Sequence, residues 1–162
     1  MDRYHTILVG TDGSASSMRA VDRAAEVAVQ ENARLIVASA HFPAVEKGHW
    51  SRPPSPDGVA DRAGSDTLGR EGYMLHGSAP TYAILQEARD RAKAVGAQRI
   101  EERAVVGPAV NALLKLTDEV KADLLVVGNV GLNTVAGRLL GSVPASVARR
   151  ARVDILIVHT SE

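Results

Sequence analysis

The sequence lacks cysteine, has few aromatic residues and carries no net charge. Because none of its 162 residues is cysteine, disulfides, thiolate metal sites and a cysteine nucleophile are excluded, which suits a reducing cytosol. Aromatic residues make up only 3% of the chain. Proteins that recognise RNA or single-stranded DNA stack bases on aromatic side chains, and this chain has too few of them for that mode of binding. The 19 Lys and Arg residues balance the 19 Asp and Glu residues, which argues against a basic nucleic-acid or membrane-surface binder.

Long hydrophobic runs are also missing. The longest apolar stretches, such as Leu124–Val127 and Ile155–Val158, are far too short to cross a bilayer. The N-terminal residues Met1–His5 precede only a short apolar run, so we expect no signal peptide. A length of 162 residues suits one domain. We therefore expect a single domain over residues 1–162 in a cytoplasmic protein.

Five short segments rich in Val, Ile and Leu are predicted to be β-strands. Most are apolar on consecutive positions, which is typical of strands covered on both faces of a parallel sheet. The segments are Thr6–Gly10, Arg34–Ser39, Arg99–Val106, Asp123–Gly128 and Val153–His159. The third contains Glu101, Glu102 and Arg103, so we expect it at or near an edge of the sheet.

Amphipathic helical patterns separate these strands. Apolar residues recur at spacings of three and four from Met18 to Ala28, after the N-cap candidates Ser14, Ser16 and Ser17. Three further helices are predicted, one from near Pro80 to Gly96, one from near Pro108 to Val120 and one from about Val143 to Ala151. Strands that alternate with helices predict an α/β fold, with a doubly wound parallel sheet and right-handed crossovers.

Residues 43–80 interrupt this alternation. They hold five of the seven prolines, namely Pro43, Pro53, Pro54, Pro56 and Pro80. We interpret them as a long Pro/Gly-rich insertion in the domain rather than as a second domain. An inert surface loop and a lid over a ligand are equally consistent with this composition.

Two glycine-containing loops are the candidate ligand site, because ligands of doubly wound sheets bind at the carboxyl ends of the strands. The first loop is Gly10–Ser14, and the second begins at Gly128-Asn129-Val130-Gly131 and closes at Gly141-Ser142. Backbone N–H groups of Ser142 and Val143, at the start of a helix, would face an anion such as phosphate. Turn glycines with an N-cap serine are the alternative interpretation.

The ionisable residues near these loops and strand ends favour binding over catalysis. The Asp12 carboxylate would either hold the backbone N–H groups of a turn or accept hydrogen bonds from ribose hydroxyls. The five histidines have no spacing typical of a metal site or a catalytic relay. We interpret His5 and His159 as strand-end residues, and His41 as a shape or hydrogen-bonding residue near the candidate site.

Several motifs resemble those of the universal stress protein family. They are Asp12-Gly13-Ser14 after the first strand, Gly107-Pro108 at the third helix, Ala122–Gly128, and the spacing Gly128-x-x-Gly131-x9-Gly141-Ser142. The resemblance covers residues 6–41 and 81–159, and is to the nucleotide-binding, actinobacterial-like type of that family. It does not account for residues 43–80.

The resemblance implies a five-stranded parallel sheet in the order 3-2-1-4-5, helices on both faces and an adenine-nucleotide site at the carboxyl edge. Ribose would lie near Asp12, the base near the end of the second strand, and the phosphates along the second loop. The implied nucleotide-binding residues are Gly10, Thr11, Asp12, Ser39, Ala40, Gly107, Gly128, Asn129, Gly131, Arg138, Gly141, Ser142 and Val143. The resemblance also implies a homodimer through the last strand, Val153–His159, whose apolar edge needs covering.

Departures from the family pattern bear on the choice of nucleotide. Asn129 and Val130 stand where the family commonly has a small hydroxyl residue followed by a basic or polar one, and Pro144 replaces a common Ser or Thr. Arg138 is the only basic residue from position 123 to position 148. AMP or cyclic AMP would therefore compete with ATP, whose charge needs basic groups or a Mg²⁺ ion.

The sequence therefore predicts an adenine-nucleotide-binding regulatory protein of the stress response. An ATP-using enzyme is the first alternative, but the chain has no Gly-Lys-Ser/Thr P-loop, and slow ATP hydrolysis is the most that we expect. A ligand-free interaction protein is the second alternative. We expect no catalytic residues, no metal site made by the chain alone, and neither nucleic acid nor a membrane among its partners.

Overall fold

Five parallel strands alternate with four helices along the described chain. The structure is a computed structural model, and it describes residues 3–41, 72–129 and 142–159. The strands are β1 (Thr6–Gly10), β2 (Arg34–His41), β3 (Ile100–Val106), β4 (Leu124–Gly128) and β5 (Asp154–Val158). The helices are α1 (Ala15–Glu31), α2 (Gly72–Val95), α3 (Ala109–Val120) and α4 (Ser142–Arg150). The predicted α/β class is confirmed.

The strands lie in the order β3-β2-β1-β4-β5, and every neighbouring pair is parallel. This is the predicted order for a doubly wound sheet. The chain moves outward from β1 to β3, then crosses back to place β4 on the other side of β1. The direction of winding therefore reverses between β1 and β4, which is the position where doubly wound sheets bind their ligands.

The two faces of the sheet bury separate aliphatic clusters, because side chains alternate along each strand. Ile7 and Val9 pack against residues of α1 and α2 on one face. Leu8, between them, packs against residues of α3 and α4 on the other face. Burial of one such side chain contributes about 1.5–3 kcal/mol, so both helical layers are held firmly to β1. No described helix is both long and apolar enough to cross a membrane.

Helix α2 begins at Gly72, well before the predicted start near Pro80. The predicted start of this helix near Pro80 is therefore wrong, and the last part of the Pro/Gly-rich insertion is helical. Pro80 lies inside the helix, where its missing N–H omits one backbone hydrogen bond without ending the helix. Met74, Leu75 and Ala79 precede it, and all three are good helix formers. The rest of the insertion, residues 43–71, lies outside the described residues, as does the choice between loop and lid.

Helix α1 is capped at both ends by residues that directly flank it. Ser14 is the N-cap, and its side chain accepts a hydrogen bond from the Ser17 N–H at 3.1 Å. A cap of this kind contributes about 1 kcal/mol. At the other end, Asn32 adopts the left-handed conformation with φ 57°, which ends the helix. Of the three serine candidates, the structure therefore selects Ser14.

Strands β3 and β5 form the two edges of the sheet, so the predicted edge position of β3 is confirmed. Charged residues of β3 make ion pairs with neighbouring elements, namely Arg34–Glu101 (3.5 Å), Arg89–Glu102 (3.7 Å) and Arg103–Glu119 (3.7 Å). These side chains are partly exposed, so each pair contributes little to stability. Their charges instead make the β3 edge a poor partner for a further strand.

At the amino end of β5, the Tyr4 hydroxyl donates a hydrogen bond to Asp154 Oδ2 at 2.7 Å. This hydrogen bond, followed by partial burial and the negative charge of Asp154, raises the pKa of Tyr4 above its ordinary value of 10.0. The Tyr4 backbone N–H also donates to Glu31 Oε1 at 3.1 Å. Tyr4 therefore ties the start of the chain to the first residue of β5 and the last residue of α1.

Candidate functional site

Most of the predicted site residues lie together at the carboxyl edge of the sheet. The ends of β1 and β4 are neighbours, because Val9 pairs with Val126. If this register is continued past the strands, Asp12 is opposite Asn129. The residues of this edge that the structure describes are Gly10, Thr11, Asp12, Ser39, Ala40, Gly107, Gly128, Asn129, Ser142 and Val143. Of the other predicted binding residues, Gly131, Arg138 and Gly141 lie outside the described residues.

The loop after β1 is built around a pair of hydroxyl groups. Thr11 and Ser17 are buried, and their side-chain oxygens lie 2.7 Å apart. The Asp12 N–H donates to Ser17 Oγ at 3.2 Å, and the Gly13 N–H donates to Thr11 Oγ1 at 3.1 Å. Two backbone donors are thus satisfied inside the loop. The Thr11 hydroxyl therefore shapes the loop, and the predicted contact of Thr11 with the nucleotide stays a prediction.

Asp12 forms a turn with the residue that caps α1. Its Oδ1 accepts a hydrogen bond from the Ser14 N–H at 2.9 Å. The turn interpretation of Asp12 is therefore confirmed, and the ribose contact stays a prediction. Thr11 N–H donates to the carbonyl oxygen of Ala38 at 2.9 Å, so the N–H groups of residues 11–14 all have partners within the protein. Unlike a P-loop, this loop offers carboxylate and carbonyl oxygens rather than N–H donors.

Two glycines of the first loop lie in close contact with helix side chains. Gly13 has a φ of +87°, and a Cβ there would lie 2.9 Å from Ile84 of α2. A Cβ on Gly10 would lie 2.8 Å from Leu113 Cδ1 of α3. Glycine at these positions therefore lets helices from both faces approach the loop closely. The lack of a side chain at Gly10 thus makes room for Leu113. The predicted contact of Gly10 with a nucleotide stays a prediction.

The end of β2 carries a histidine whose ring lacks partners. Both ring nitrogens of His41 are buried, and neither has a hydrogen-bond partner among the residues described. The His41 carbonyl oxygen accepts from the Gly107 N–H at 2.9 Å, which joins the ends of β2 and β3. Gly107 has a φ of +120° with open space where a Cβ would be, so glycine is needed there for conformation alone. Buried polar atoms without partners are rare in proteins and often mark a ligand site.

The end of β4 is held to the end of β5 by Asn129. This residue is only 6% exposed, and its backbone N–H donates to the carbonyl oxygen of Val158 at 2.9 Å. Its amide nitrogen lies 3.2 Å from Nδ1 of His159. The interpretation of His159 as a plain strand-end residue is therefore incomplete. The register of β4 and β5 pairs Gly128 with Val158, so the next residues of the two strands, Asn129 and His159, are neighbours. The sequence alone does not show this register.

Helix α4 begins at Ser142, one residue before the predicted start. Because the first N–H groups of a helix have no partner within it, those of Ser142 and Val143 lie at the position expected for an anion-binding helix N-terminus. Val143 also packs partly against the aliphatic cluster of α3. The short helix is thereby fixed to the sheet.

The described part of the carboxyl edge carries little positive charge. Residues 10–14, 39–41, 106–108, 128–129 and 142–144 contain no Lys or Arg, and their ionisable side chains are Asp12 and His41. Within the described ranges, no group of three or more His, Asp or Glu side chains could hold a metal ion. A ligand with one negative charge fits this edge better than one with several.

Fold and edge together define a doubly wound α/β protein with a polar, glycine-containing site where the strand order reverses. The chain belongs to the universal stress protein family, because the model of the Universal stress protein family matches residues 3–159. It is 55% identical to Universal stress protein Rv1636 of Mycobacterium tuberculosis over 161 residues, which are 99% of this chain and 100% of that protein.

Solved structures agree with this assignment. A crystal structure described as a universal stress protein in complex with cAMP is 55% identical, with a TM-score of 0.71, over 99% of this chain and 100% of that one. Universal stress protein UspA of Lactobacillus plantarum is 18% identical, with a TM-score of 0.74, over 98% of this chain and 99% of that one. The second likeness concerns the fold alone.

Proposed function

We propose that this protein binds an adenine nucleotide at the carboxyl edge of its sheet and acts as a regulator in a stress response. The site lies where the strand order reverses, beside β1 and β4, which is where doubly wound folds bind nucleotides. The predicted contacts are the ribose with Asp12, the base with the end of β2, and the phosphate with the second loop and the start of α4.

The observation that carries the proposal is the pair of unpartnered ring nitrogens of His41. A neutral imidazole donates from one nitrogen and accepts at the other. The edge of adenine offers the complementary pair, an amino donor beside a ring-nitrogen acceptor. A bound adenine would therefore give a partner to one of the two buried ring nitrogens, either its amino group to the accepting nitrogen or its ring nitrogen to the donating one, and such atoms are costly to leave unpaired.

Charge favours a nucleotide with a single phosphate. A triphosphate carries several negative charges, which proteins usually offset with Arg, Lys or Mg²⁺. The described edge has no Lys or Arg, and Arg138 is the only basic residue predicted to contact the nucleotide, so few positive charges are available to offset a polyphosphate. The crystal structure of a 55% identical universal stress protein in complex with cAMP supports the same choice. We therefore propose cyclic AMP or AMP in preference to ATP, with Mg²⁺ needed only for ATP.

We also propose that the protein is a cytoplasmic homodimer joined through β5. One edge of β5 pairs with β4, and the other has no strand partner within the described chain. Its apolar residues Ile155–Val158 are only half-buried. Pairing of two β5 edges would cover these side chains and satisfy the outward-facing backbone groups.

A melting-temperature experiment tests the binding proposal. Cyclic AMP should raise the melting temperature of the protein, because a ligand at 100 times its Kd stabilises by about 2.7 kcal/mol, whereas cyclic GMP should give a much smaller rise. His41→Phe, which keeps a ring but has no nitrogen, should lose most of the rise with cyclic AMP. His41→Gln, which keeps a donor and an acceptor, should retain more of it. Equal melting temperatures with and without every adenine nucleotide would exclude the proposal.

A further inference from the structure

The contact between Asn129 and His159 is a defined hydrogen bond rather than a simple packing contact. The Asn129 amide nitrogen can only donate, so Nδ1 of His159 is the acceptor in this contact of 3.2 Å. The Asn129 side chain is buried, so the bond fixes the orientation of a polar group that has little access to water. Loss of the acceptor would leave that group to find a new partner or a new position.

The position of Asn129 makes this bond important for the second loop. Asn129 is the first residue after β4 and lies level with Asp12 across the reversal in strand order. Its main chain is tied to Val158 and its side chain to His159. Both the backbone and the side chain of Asn129 are therefore held by the carboxyl end of β5 and the residue after it, at the free edge of the sheet.

We propose that His159 is a positioning residue of the nucleotide site. It holds the side chain of Asn129, one of the predicted nucleotide-binding residues, in the orientation that would contact the nucleotide. This inference rests on the proposed function. It predicts that nucleotide affinity depends on a side chain beyond the loop itself, so nucleotide binding and the arrangement of β5 are coupled.

Calorimetric titration with cyclic AMP of three proteins tests the role of the acceptor. His159→Leu removes it, and the Kd should rise roughly tenfold. His159→Asn is the matched control, because its Oδ1 occupies about the position of Nδ1 and can accept the same bond. Its Kd should stay within about twofold of the unaltered protein. Rescue by the asparagine variant distinguishes a hydrogen-bonding role from loss of ring packing.

A double variant tests whether His159 acts through Asn129. Asn129→Ala alone should weaken binding, and the addition of His159→Leu should weaken it no further, because the bond is already absent. If urea-unfolding controls show that His159→Leu does not fold, Asn129→Ala removes the same hydrogen bond from its donor side, and its Kd is compared with that of the unaltered protein. An unchanged Kd for His159→Leu would overturn the inference, as would an asparagine variant as weak as the leucine one, or additive losses in the double variant.

The outcome also separates this inference from the proposed function. If the unaltered protein gives no heat with cyclic AMP, AMP or ATP, the proposed function fails and the positioning role falls with it. If the unaltered protein binds and His159→Leu binds equally well, the proposed function stands and only the positioning role is wrong.

Discussion

The Ser14 N–H donates a hydrogen bond to Asp12 Oδ1 at 2.9 Å, and Ser14 in turn caps α1. The carboxylate that would meet a nucleotide ribose is therefore already fixed by the turn that starts the first helix. Its negative charge also lies near the helix N-terminus, where the helix dipole stabilises it. One side chain thus serves local structure and, in our proposal, ligand binding.

Substitutions of Asp12 should separate these two roles. Asp12→Asn keeps an oxygen for the Ser14 N–H and should change the free energy of unfolding by less than about 0.5 kcal/mol. Asp12→Ala loses the turn and should cost about 1 kcal/mol. Urea unfolding measures both. In calorimetry, Asp12→Asn should improve binding of ATP relative to cyclic AMP, because it removes a negative charge from the site. An unchanged ratio of the two affinities would show that the charge of Asp12 does not influence the choice between the two nucleotides.

Gly13 should be intolerant of a side chain for two physical reasons. Alanine is strained at its φ of +87°, and its Cβ would press on Ile84. Gly13→Ala should lower the free energy of unfolding by about 1–3 kcal/mol. Ile84→Val removes Cδ1, one of the two nearest atoms, so the double variant should lose less than the sum of the single losses. If the loss in the double variant equals the sum of the single losses within about 0.5 kcal/mol, contact between the new Cβ and Ile84 does not contribute to the destabilisation.

Tyr4 and Asp154 predict an alkaline dependence of stability. Because the folded protein holds the pKa of Tyr4 above 10.0, their hydrogen bond contributes fully below pH 10 and is lost as the pH rises through the folded-state pKa. The phenolate absorbance of Tyr4, taken as the difference from Tyr4→Phe, should therefore appear above pH 10. In Asp154→Asn, which removes the charge, it should appear at lower pH. If the phenolate absorbance of Tyr4 has the same pH midpoint in the unaltered protein and in Asp154→Asn, Asp154 does not raise the pKa of Tyr4.

The homodimer is testable through the free edge of β5. The Val158 carbonyl oxygen accepts from β4, and backbone groups alternate in direction along a strand. The N–H of Ile157 therefore faces the free edge. In a monomer this N–H has no strand partner, and proline is tolerated at such positions of an edge strand. Ile157→Pro should convert a dimer to a monomer in analytical ultracentrifugation while the circular dichroism spectrum stays that of a folded protein. Dimers that persist in this variant would place the interface elsewhere.

The strands were predictable because buried parallel strands are apolar at consecutive positions, as in Leu124–Val127. The charged residues of β3 likewise predicted its edge position. The start of α2 was not predictable in this way, since proline is favoured in a first helical turn and disfavoured inside a helix, so Pro80 indicated a start rather than an interior position. The sequence marks a possible break there, and only packing decides whether the helix continues.

The candidate site was predictable as a place rather than as a set of contacts. Strand order locates the carboxyl edge, and Gly13 and Asp12 indicate the turn. The inward direction of the Thr11 hydroxyl depends on Ser17, one turn into α1, which no local pattern reveals. The bond between Asn129 and His159 joins residues 30 apart in sequence. It becomes visible only when the two strands are placed side by side in register.

The most direct test of the central claim is calorimetric titration of the purified protein with cyclic AMP, AMP and ATP, with cyclic GMP as the control. We predict saturable binding of an adenine nucleotide with a single phosphate, weaker binding of ATP in the absence of Mg²⁺, and little heat with cyclic GMP. Absence of binding by all three adenine nucleotides would contradict the proposed function. A clear preference for ATP without Mg²⁺ would contradict the charge argument on which the choice of nucleotide depends.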